Sequence, residues 1–178
     1  MGQAKQIFAI IVIVAVTIGV TNTNATAQDR GGFTALVDLG VGVQNDSAIE
    51  ESAVGLAGIN AGVGAFLNRD LALLFRISGT NVSYELGGGD YGQTSGVTGA
   101  ALQYWLSDRF NVEAGGGVGF WSGSTDENNH GLGLIVGAGF SVFNRGKHNL
   151  QVGVQYAPAF TEPGTVHNLG FTFGYQFQ

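Results

Sequence analysis

Apolar side chains alternate with glycine or polar side chains along most of the chain beyond residue 31. Because successive side chains of a β-strand point to opposite faces, a period of two predicts strands whose two faces differ in chemistry. Eight runs keep this period. They span residues 32–44, 54–67, 71–84, 93–106, 110–121, 131–143, 149–159 and 166–177. The sequence therefore predicts an all-β chain of eight antiparallel strands.

The segments between these runs are alternately short and long. Tight turns are expected at residues 68–70, 107–109 and 144–148, and longer loops at residues 45–53, 85–92, 122–130 and 160–165. An even number of strands with short turns at one end and longer loops at the other is typical of outer-membrane barrels. The runs, roughly 11–13 residues long, suffice for tilted strands that cross a bilayer.

The tight turns also predict which residues face each other across each hairpin. A turn at residues 107–109 places Tyr104 opposite Val112 and Gln103 opposite Glu113, so apolar residues meet apolar residues and polar residues meet polar ones. The other two hairpins pair Val63 with Phe75, Gly62 with Arg76, Phe140 with Val152, and Ser141 with Gln151. A one-residue slip would mix the two faces, so the pattern specifies the register.

Composition indicates which face is outside. Charged residues make up only 11% of the chain, which has 31 glycines and no cysteine. A soluble barrel with its apolar face inward would need a far more charged exterior, whereas small and polar side chains suit the narrow interior of an eight-stranded membrane barrel. Backbone groups in lipid need protein partners, so the first and eighth strands must pair and close the barrel.

Aromatic residues on the apolar face support this orientation, although ordinary core aromatics are the alternative. They lie near the two expected membrane interfaces, which aromatic rings favour. Those near the tight turns are Phe33, Tyr104, Phe110, Phe140, Tyr175 and Phe177, and those toward the loops are Phe120 and Tyr156.

Residues 1–27 resemble a secretory signal peptide. The apolar run at residues 7–20 is shorter than the ~20 residues that a membrane-spanning helix needs, and Ala25-Thr26-Ala27 forms a small-residue cleavage pattern. An N-terminal membrane anchor is the alternative. The mature chain, residues 28–178, would form one barrel domain.

Three charged residues, Asp38, Arg76 and Glu113, fall on the face assigned to the interior. An isolated charge at membrane depth is unfavourable, so we expect Arg76 to pair with both acids. Gln103 and Asn60 are expected to complete the hydrogen bonding. A polar conduit for ions is the alternative use of these residues.

The stretch LQYWLSDRFNVEAGGGVGF at residues 102–120 resembles a recurrent hairpin of the eight-stranded outer-membrane protein β-barrel family, which includes OmpX and the barrel domain of OmpA. Near the C-terminus, Asn168, Gly170, Phe173 and Tyr175 resemble the assembly signal of that family. This chain continues through Gln176-Phe177-Gln178 beyond the signal.

The resemblance implies a closed eight-stranded antiparallel up-and-down transmembrane β-barrel in an outer membrane of the Gram-negative type. It also implies insertion by the barrel assembly machinery, with both termini in the periplasm and the long loops outside the cell. Outer-membrane lipid would surround the barrel.

Some barrels of this kind are lipid A deacylases or palmitoyl transferases, which need a nucleophile beside a base. None of the three histidines, His130, His148 and His167, stands in a pattern with a serine and an acid; His167 is the least implausible base. The glycine runs at residues 87–89 and 115–117 lack the setting of a phosphate loop. No catalysis, cofactor or metal is therefore expected.

The net charge of −6 offers no basic patch for nucleic acid. Acidic residues concentrate in the expected loops and could contact a surface ligand. They are Asp46, Glu50, Glu51, Glu85, Asp90, Asp126, Glu127 and Glu162. The sequence therefore predicts an envelope protein with a structural and surface-interaction role, with an adhesin or a narrow passive channel as alternatives.

Overall fold

A computed structural model describes residues 30–47, 51–86, 89–123, 128–162 and 164–178. The predicted signal peptide lies outside these residues. The strands are β1 (Gly32–Asp46), β2 (Glu51–Phe66), β3 (Leu71–Leu86), β4 (Gly89–Trp105), β5 (Phe110–Gly123), β6 (Asn128–Arg145), β7 (His148–Tyr156), β8 (Ala159–Phe160) and β9 (Thr165–Phe177). In this part of the chain, no helix has the length and apolar character needed to cross a membrane.

The strands form one closed antiparallel ring. Each long strand pairs with its neighbours in sequence, and β1 closes the ring by pairing with β9. The two-residue β8 follows β7 after Ala157 and Pro158, and it pairs with β6 and β9 as β7 does. Together β7 and β8 therefore occupy one position in the ring, and the predicted eight-stranded up-and-down barrel is confirmed.

The predicted hairpin registers are also confirmed. Tyr104 pairs with Val112 and Gln103 with Glu113 across β4 and β5. The other pairs are Gly62 with Arg76, Val63 with Phe75, Phe140 with Val152, and Ser141 with Gln151. The alternation of the two faces together with the tight turns was sufficient to fix these pairings.

The apolar face points outward. Phe33 and Leu39 are each 61% exposed, and Leu132 is 76% exposed, whereas the residues between the outward positions are mostly buried. This arrangement excludes the soluble barrel with an apolar interior. We call the end with the tight turns, where β1 begins and β9 ends, the turn end, and the opposite end the loop end.

The strands extend further toward the loop end than the sequence predicted, so the expected long loops were too long. Only residues 47–50, 87–88, 124–127 and 161–164 connect strands there. Among the added strand residues, Asn45 Nδ2 donates to Ser52 Oγ at 2.8 Å on the outer face. Near the same end of the predicted runs, the outer pair Asn81 and Thr94 is also polar, with Nδ2 donating to Oγ1 at 2.8 Å. The ladder continues where the apolar alternation has ended, so periodicity could not detect it.

One irregularity in β2 reverses its alternation. The pairing with β1 jumps from Asp38–Asn60 to Gly40–Ala57. Beyond this bulge, Leu56 is 70% exposed and Ala57 is buried, the reverse of a strict alternation continued from Asn60. An extra residue in one strand produces such a shift without ending the ladder.

Candidate functional site

The barrel interior brings the three predicted charges together. Arg76 on β3 donates from Nε to Glu113 Oε1 on β5 at 2.8 Å, and its Nη2 lies 3.7 Å from Asp38 Oδ2 on β1. All three side chains are buried, with 7% exposure or less. We call these residues the charged triad. Two acids face one guanidinium, so the triad carries a net negative charge when all three are ionised.

Two glycines provide the space that the triad occupies. A Cβ atom at residue 62 would lie 2.7 Å from Arg76 Cδ, and a Cβ atom at residue 174 would overlap Asp38 Oδ1. Gly62 and Gly174, which have no side chain, therefore leave room for the Arg76 and Asp38 side chains. The predicted pairing of Gly62 with Arg76 is what places this space beside the Arg76 side chain.

Gln103 and Asn60, predicted to complete the triad's hydrogen bonding, both lie in the interior. Gln103 Oε1 accepts a hydrogen bond of 2.7 Å from Gln176 Nε2, and Gln103 Nε2 donates to Asn111 Oδ1 at 3.4 Å. Asn60 Oδ1 accepts from the Gly79 amide at 3.2 Å. Gln103 thus connects β4 and β5 to the last strand.

A cavity of about 30 Å³ adjoins the triad, which together with Gln103 and Gln151 contributes to its lining. This volume has room for about two water molecules. Among the described residues, Asp38 Oδ1 and Arg76 Nη1 are buried without a hydrogen-bond partner. The cavity can hold water beside the triad but is far too small for a typical organic substrate.

The loop end contains a hydrogen-bonded cluster that the sequence interpretation missed. Ser95 Oγ lies 3.0 Å from Gln44 Oε1 and 2.8 Å from Asn168 Oδ1, and Gln93 Nε2 donates to Asp46 Oδ2 at 2.8 Å. We call these five residues the loop-end cluster. Its centre, Gln93 and Ser95, already lay on the interior face of the predicted run 93–106, but nothing in that run indicated their partners on β1 and β9.

Asp46 was assigned wrongly to an acidic loop. It ends β1, and its side chain is only 3% exposed. Glu162 is exposed as expected. The loop assignment is also wrong for Glu51, Glu85 and Asp90, which lie in β2, β3 and β4. Glu50, Asp126 and Glu127 lie outside the described residues.

At the turn end, Arg30 forms contacts that no sequence pattern indicated. Its guanidinium lies 4.0 Å from the centre of the Trp105 ring, Nε donates to Gln178 Oε1 at 3.2 Å, and Nη2 donates to the Asp108 carbonyl at 2.9 Å. Burial lowers the pKa of Arg30, and the nearby Asp108 carboxylate opposes that shift. Arg30 therefore joins the segment before β1 and the last residue, Gln178, to the turn between β4 and β5.

Apolar side chains pack inside the barrel in two clusters. The turn-end cluster consists of Leu36, Phe66, Ala72, Leu74 and Trp105. The second cluster, nearer the loop end, consists of Val97, Ile135 and Ala157. Along β4, Trp105 and Val97 lie on either side of Gly99, which pairs with Arg76, so the triad lies between the two clusters.

The residues that resemble the assembly signal all lie on β9. Asn168 is buried and donates to the Ala157 carbonyl at 3.0 Å, and Gly170 is also interior. Phe173 and Tyr175 face outward, with 55% and 40% exposure. The spacing therefore places two small or polar residues inside and two aromatic rings on the outer face.

The histidines on the outer face contact tyrosines. His167 Nδ1 and Tyr156 Oη are 2.6 Å apart with stacked rings, and His148 Nδ1 and Tyr175 Oη are 2.5 Å apart. The third, His130, is exposed. Over the described residues, no group of three or more His, Cys, Asp or Glu side chains could hold a metal ion.

No protein-family model and no curated protein matches the chain. Solved structures match: Neisserial surface protein A is 19% identical, with a TM-score of 0.57, over 82% of this chain and 96% of that one. Ail, the attachment invasion locus protein of Yersinia pestis, is 14% identical, with a TM-score of 0.57, over 82% and 99%. A structure of Ail in complex with the heparin analogue sucrose octasulfate, also 14% identical, has a TM-score of 0.50 over 83% and 99%.

These similar structures are eight-stranded outer-membrane barrels. The resemblance inferred from residues 102–120 and from the last strand is therefore confirmed at the level of the fold. With its apolar outer face and polar interior, this chain has the fold of a transmembrane β-barrel.

Proposed function

We propose that this chain is an integral outer-membrane protein that contributes to envelope structure and surface contact, without conducting solutes and without catalysis. The observation that carries the proposal is the inverted distribution of side chains. Large apolar residues such as Phe33 and Leu132 cover the exterior, while the charged triad is buried. Such a surface is stable only in lipid or detergent.

A sealed interior is favoured over a channel because both ends are packed. The turn-end cluster with Arg30 lies on one side of the triad, and the cluster of Val97, Ile135 and Ala157 lies on the other. The cavity between them, about 30 Å³, holds only water-sized molecules.

Membrane fractionation and electrophoresis test the location and the barrel. We expect the protein in the outer-membrane fraction, and we expect faster migration in detergent gels when the sample is unheated than when it is boiled. A protein that stays soluble and monomeric without detergent would contradict the proposal.

Planar-bilayer recording tests the sealed interior against the alternative of a narrow channel. The wild-type protein is expected to give no steady conductance. A steady conductance that changes in Arg76→Ala would establish a conduit through the triad instead. Gly92→Ala, at an exposed position where an added Cβ would meet no atom within 4 Å, is a control that leaves the interior unchanged.

The non-catalytic part of the proposal is supported by the partners of the histidines. His167, the least implausible base, is hydrogen-bonded to Tyr156 on the outer face. An assay of lipid A deacylation should detect no activity above that of His167→Ala. Activity that His167→Ala abolishes would make the chain an enzyme.

Surface contact is expected to involve a basic partner. The connecting residues 47–50, 87–88, 124–127 and 161–164 contain acids and no Lys or Arg. The ligand in the Ail complex, sucrose octasulfate, is by contrast an anion. Cells with the wild-type protein should bind a cationic peptide better than cells with Asp126→Asn/Glu127→Gln/Glu162→Gln; equal binding would exclude these loops as the contact.

A further inference from the structure

The three tight turns at the turn end differ in charge. The turn between β2 and β3 contains Arg69 and Asp70, and the turn between β4 and β5 contains Asp108 and Arg109, so each has one charge of either sign. The turn between β6 and β7, residues 144–148, contains Arg145 and Lys147 and no acid. It is therefore the cationic turn of the three.

Aromatic residues from the end of β9 adjoin this cationic turn. His148 pairs with Phe177 across the strands, and its Nδ1 is hydrogen-bonded to Tyr175 Oη. Lys147 Nζ lies 5.7 Å from the centre of the Phe177 ring. We call Arg145, Lys147, His148, Tyr175 and Phe177 the cationic turn patch.

The patch lies at the border of the apolar exterior. Along β9, the next outward residue after Tyr175 is Phe173, which is 55% exposed. Along β7, the next outward residue after Leu150 is Val152, which is 42% exposed. Arg145, the last residue of β6, and Lys147, between β6 and β7, are both exposed. Arg145 and Lys147 therefore lie at the level expected for lipid headgroup phosphates, and Tyr175 lies just inside the apolar surface. This arrangement is typical of a membrane interface.

We propose that the cationic turn patch binds the headgroup phosphate of an anionic phospholipid in the leaflet that surrounds the turn end. This inference rests on the proposed membrane location. Arg145 and Lys147 supply charge-assisted donors to the phosphate oxygens, while the acyl chains continue along the apolar surface near Phe173. Adjacent rings and apolar surface favour a lipid over free phosphate, which would gain nothing from them.

Each basic residue near an anionic lipid surface contributes about a 5-fold preference for anionic over zwitterionic lipid. Arg145 and Lys147 together should therefore give a preference on the order of 25-fold. The matched control is the pair Arg69 and Arg109. These are exposed bases in the other tight turns, each beside an aspartate. Their replacement removes the same amount of charge from the same end of the barrel.

The experiment uses full-length mature protein in lipid nanodiscs of phosphatidylcholine containing a minor fraction of phosphatidylglycerol. Native mass spectrometry measures which lipid remains on the released protein. We expect the wild type and Arg69→Gln/Arg109→Gln to retain phosphatidylglycerol preferentially. Arg145→Gln/Lys147→Gln should lose most of that preference, by roughly 10-fold or more.

Three results would overturn the inference: no preference in the wild type, equal loss in both double variants, or displacement of the lipid by millimolar inorganic phosphate. The last would define a simple anion site. Heat-modifiable migration of each variant in pure phosphatidylcholine reports separately on the folded membrane barrel. Loss of lipid preference with this migration intact therefore leaves the proposed function standing.

Discussion

The two ends of the barrel interior are closed by different chemistry. At the turn end, Trp105 and four other apolar side chains pack together, and Arg30 covers the indole ring. At the loop end, Ser95 Oγ forms hydrogen bonds with the side-chain oxygens of Gln44 and Asn168, beside the Asp46–Gln93 pair. One end depends mainly on apolar contact and the other mainly on hydrogen bonds.

This difference changes how much the free energy of unfolding should fall when one side chain is removed at each end. Apolar packing is non-directional but sensitive to volume, so a deleted large side chain leaves a cavity. A single hydrogen bond contributes little net free energy, although an orphaned partner adds to the loss. We therefore expect the turn end to be the more sensitive to single substitutions.

The charged triad between the two ends should show the largest effect. Arg76→Ala leaves Asp38 and Glu113 buried without their cation, and we expect the free energy of unfolding to fall by about 3–5 kcal/mol. Urea unfolding in detergent or vesicles, followed by tryptophan fluorescence, measures this loss.

The control for the triad removes its charges together. Because Arg76→Leu/Asp38→Asn/Glu113→Gln leaves no buried charge at the triad, it should be more stable than Arg76→Ala. If Arg76→Ala were destabilised by less than about 1 kcal/mol, the triad would be hydrated and of little importance to stability.

Trp105→Ala should have the next largest effect, about 3–4 kcal/mol, because it removes the largest buried side chain of the turn-end cluster. Ile135→Ala, in the cluster nearer the loop end, is the matched comparison and should cost about 2–3 kcal/mol. Unfolding followed by circular dichroism measures both, since Trp105 itself is lost. Equal losses would mean that the two apolar clusters contribute equally to stability.

The features that the sequence predicted arise from strict alternation bounded by tight turns. The pairing of Gln103 with Glu113, and of Gly62 with Arg76, followed from parity alone. Burial of a charge at membrane depth then gave a physical reason for Arg76 to lie beside Glu113.

The features that it did not predict have no periodic signature. The bulge at Ala57 depends on pairing with both neighbouring strands, which one strand's pattern does not contain. Asp46 lies where the outer face has become polar, so its strand could not be distinguished from a loop. Arg30 precedes the first strand, and only the closed ring brings it to Gln178.

The Arg30 contact tests whether the turn end depends on its cation as well as on apolar packing. Arg30→Gln removes the cation over Trp105, and we expect a loss of about 1–2 kcal/mol in the free energy of unfolding. Arg30→Lys should recover part of it. If Arg30→Gln is as stable as the wild type, apolar packing alone closes this end.

Ser95→Ala should give the smallest of these effects and shows how the loop end tolerates damage. Ser95 Oγ lies between Gln44 Oε1 and Asn168 Oδ1, so its loss removes a donor that the two amides share. Because an amide can reorient or accept a water molecule, we expect a loss of only about 1 kcal/mol. Ser83→Ala, at an exposed outward position on β3, should leave the free energy of unfolding unchanged. A loss for Ser95→Ala as large as that for Trp105→Ala would mean that hydrogen bonds hold the loop end as firmly as apolar packing holds the turn end.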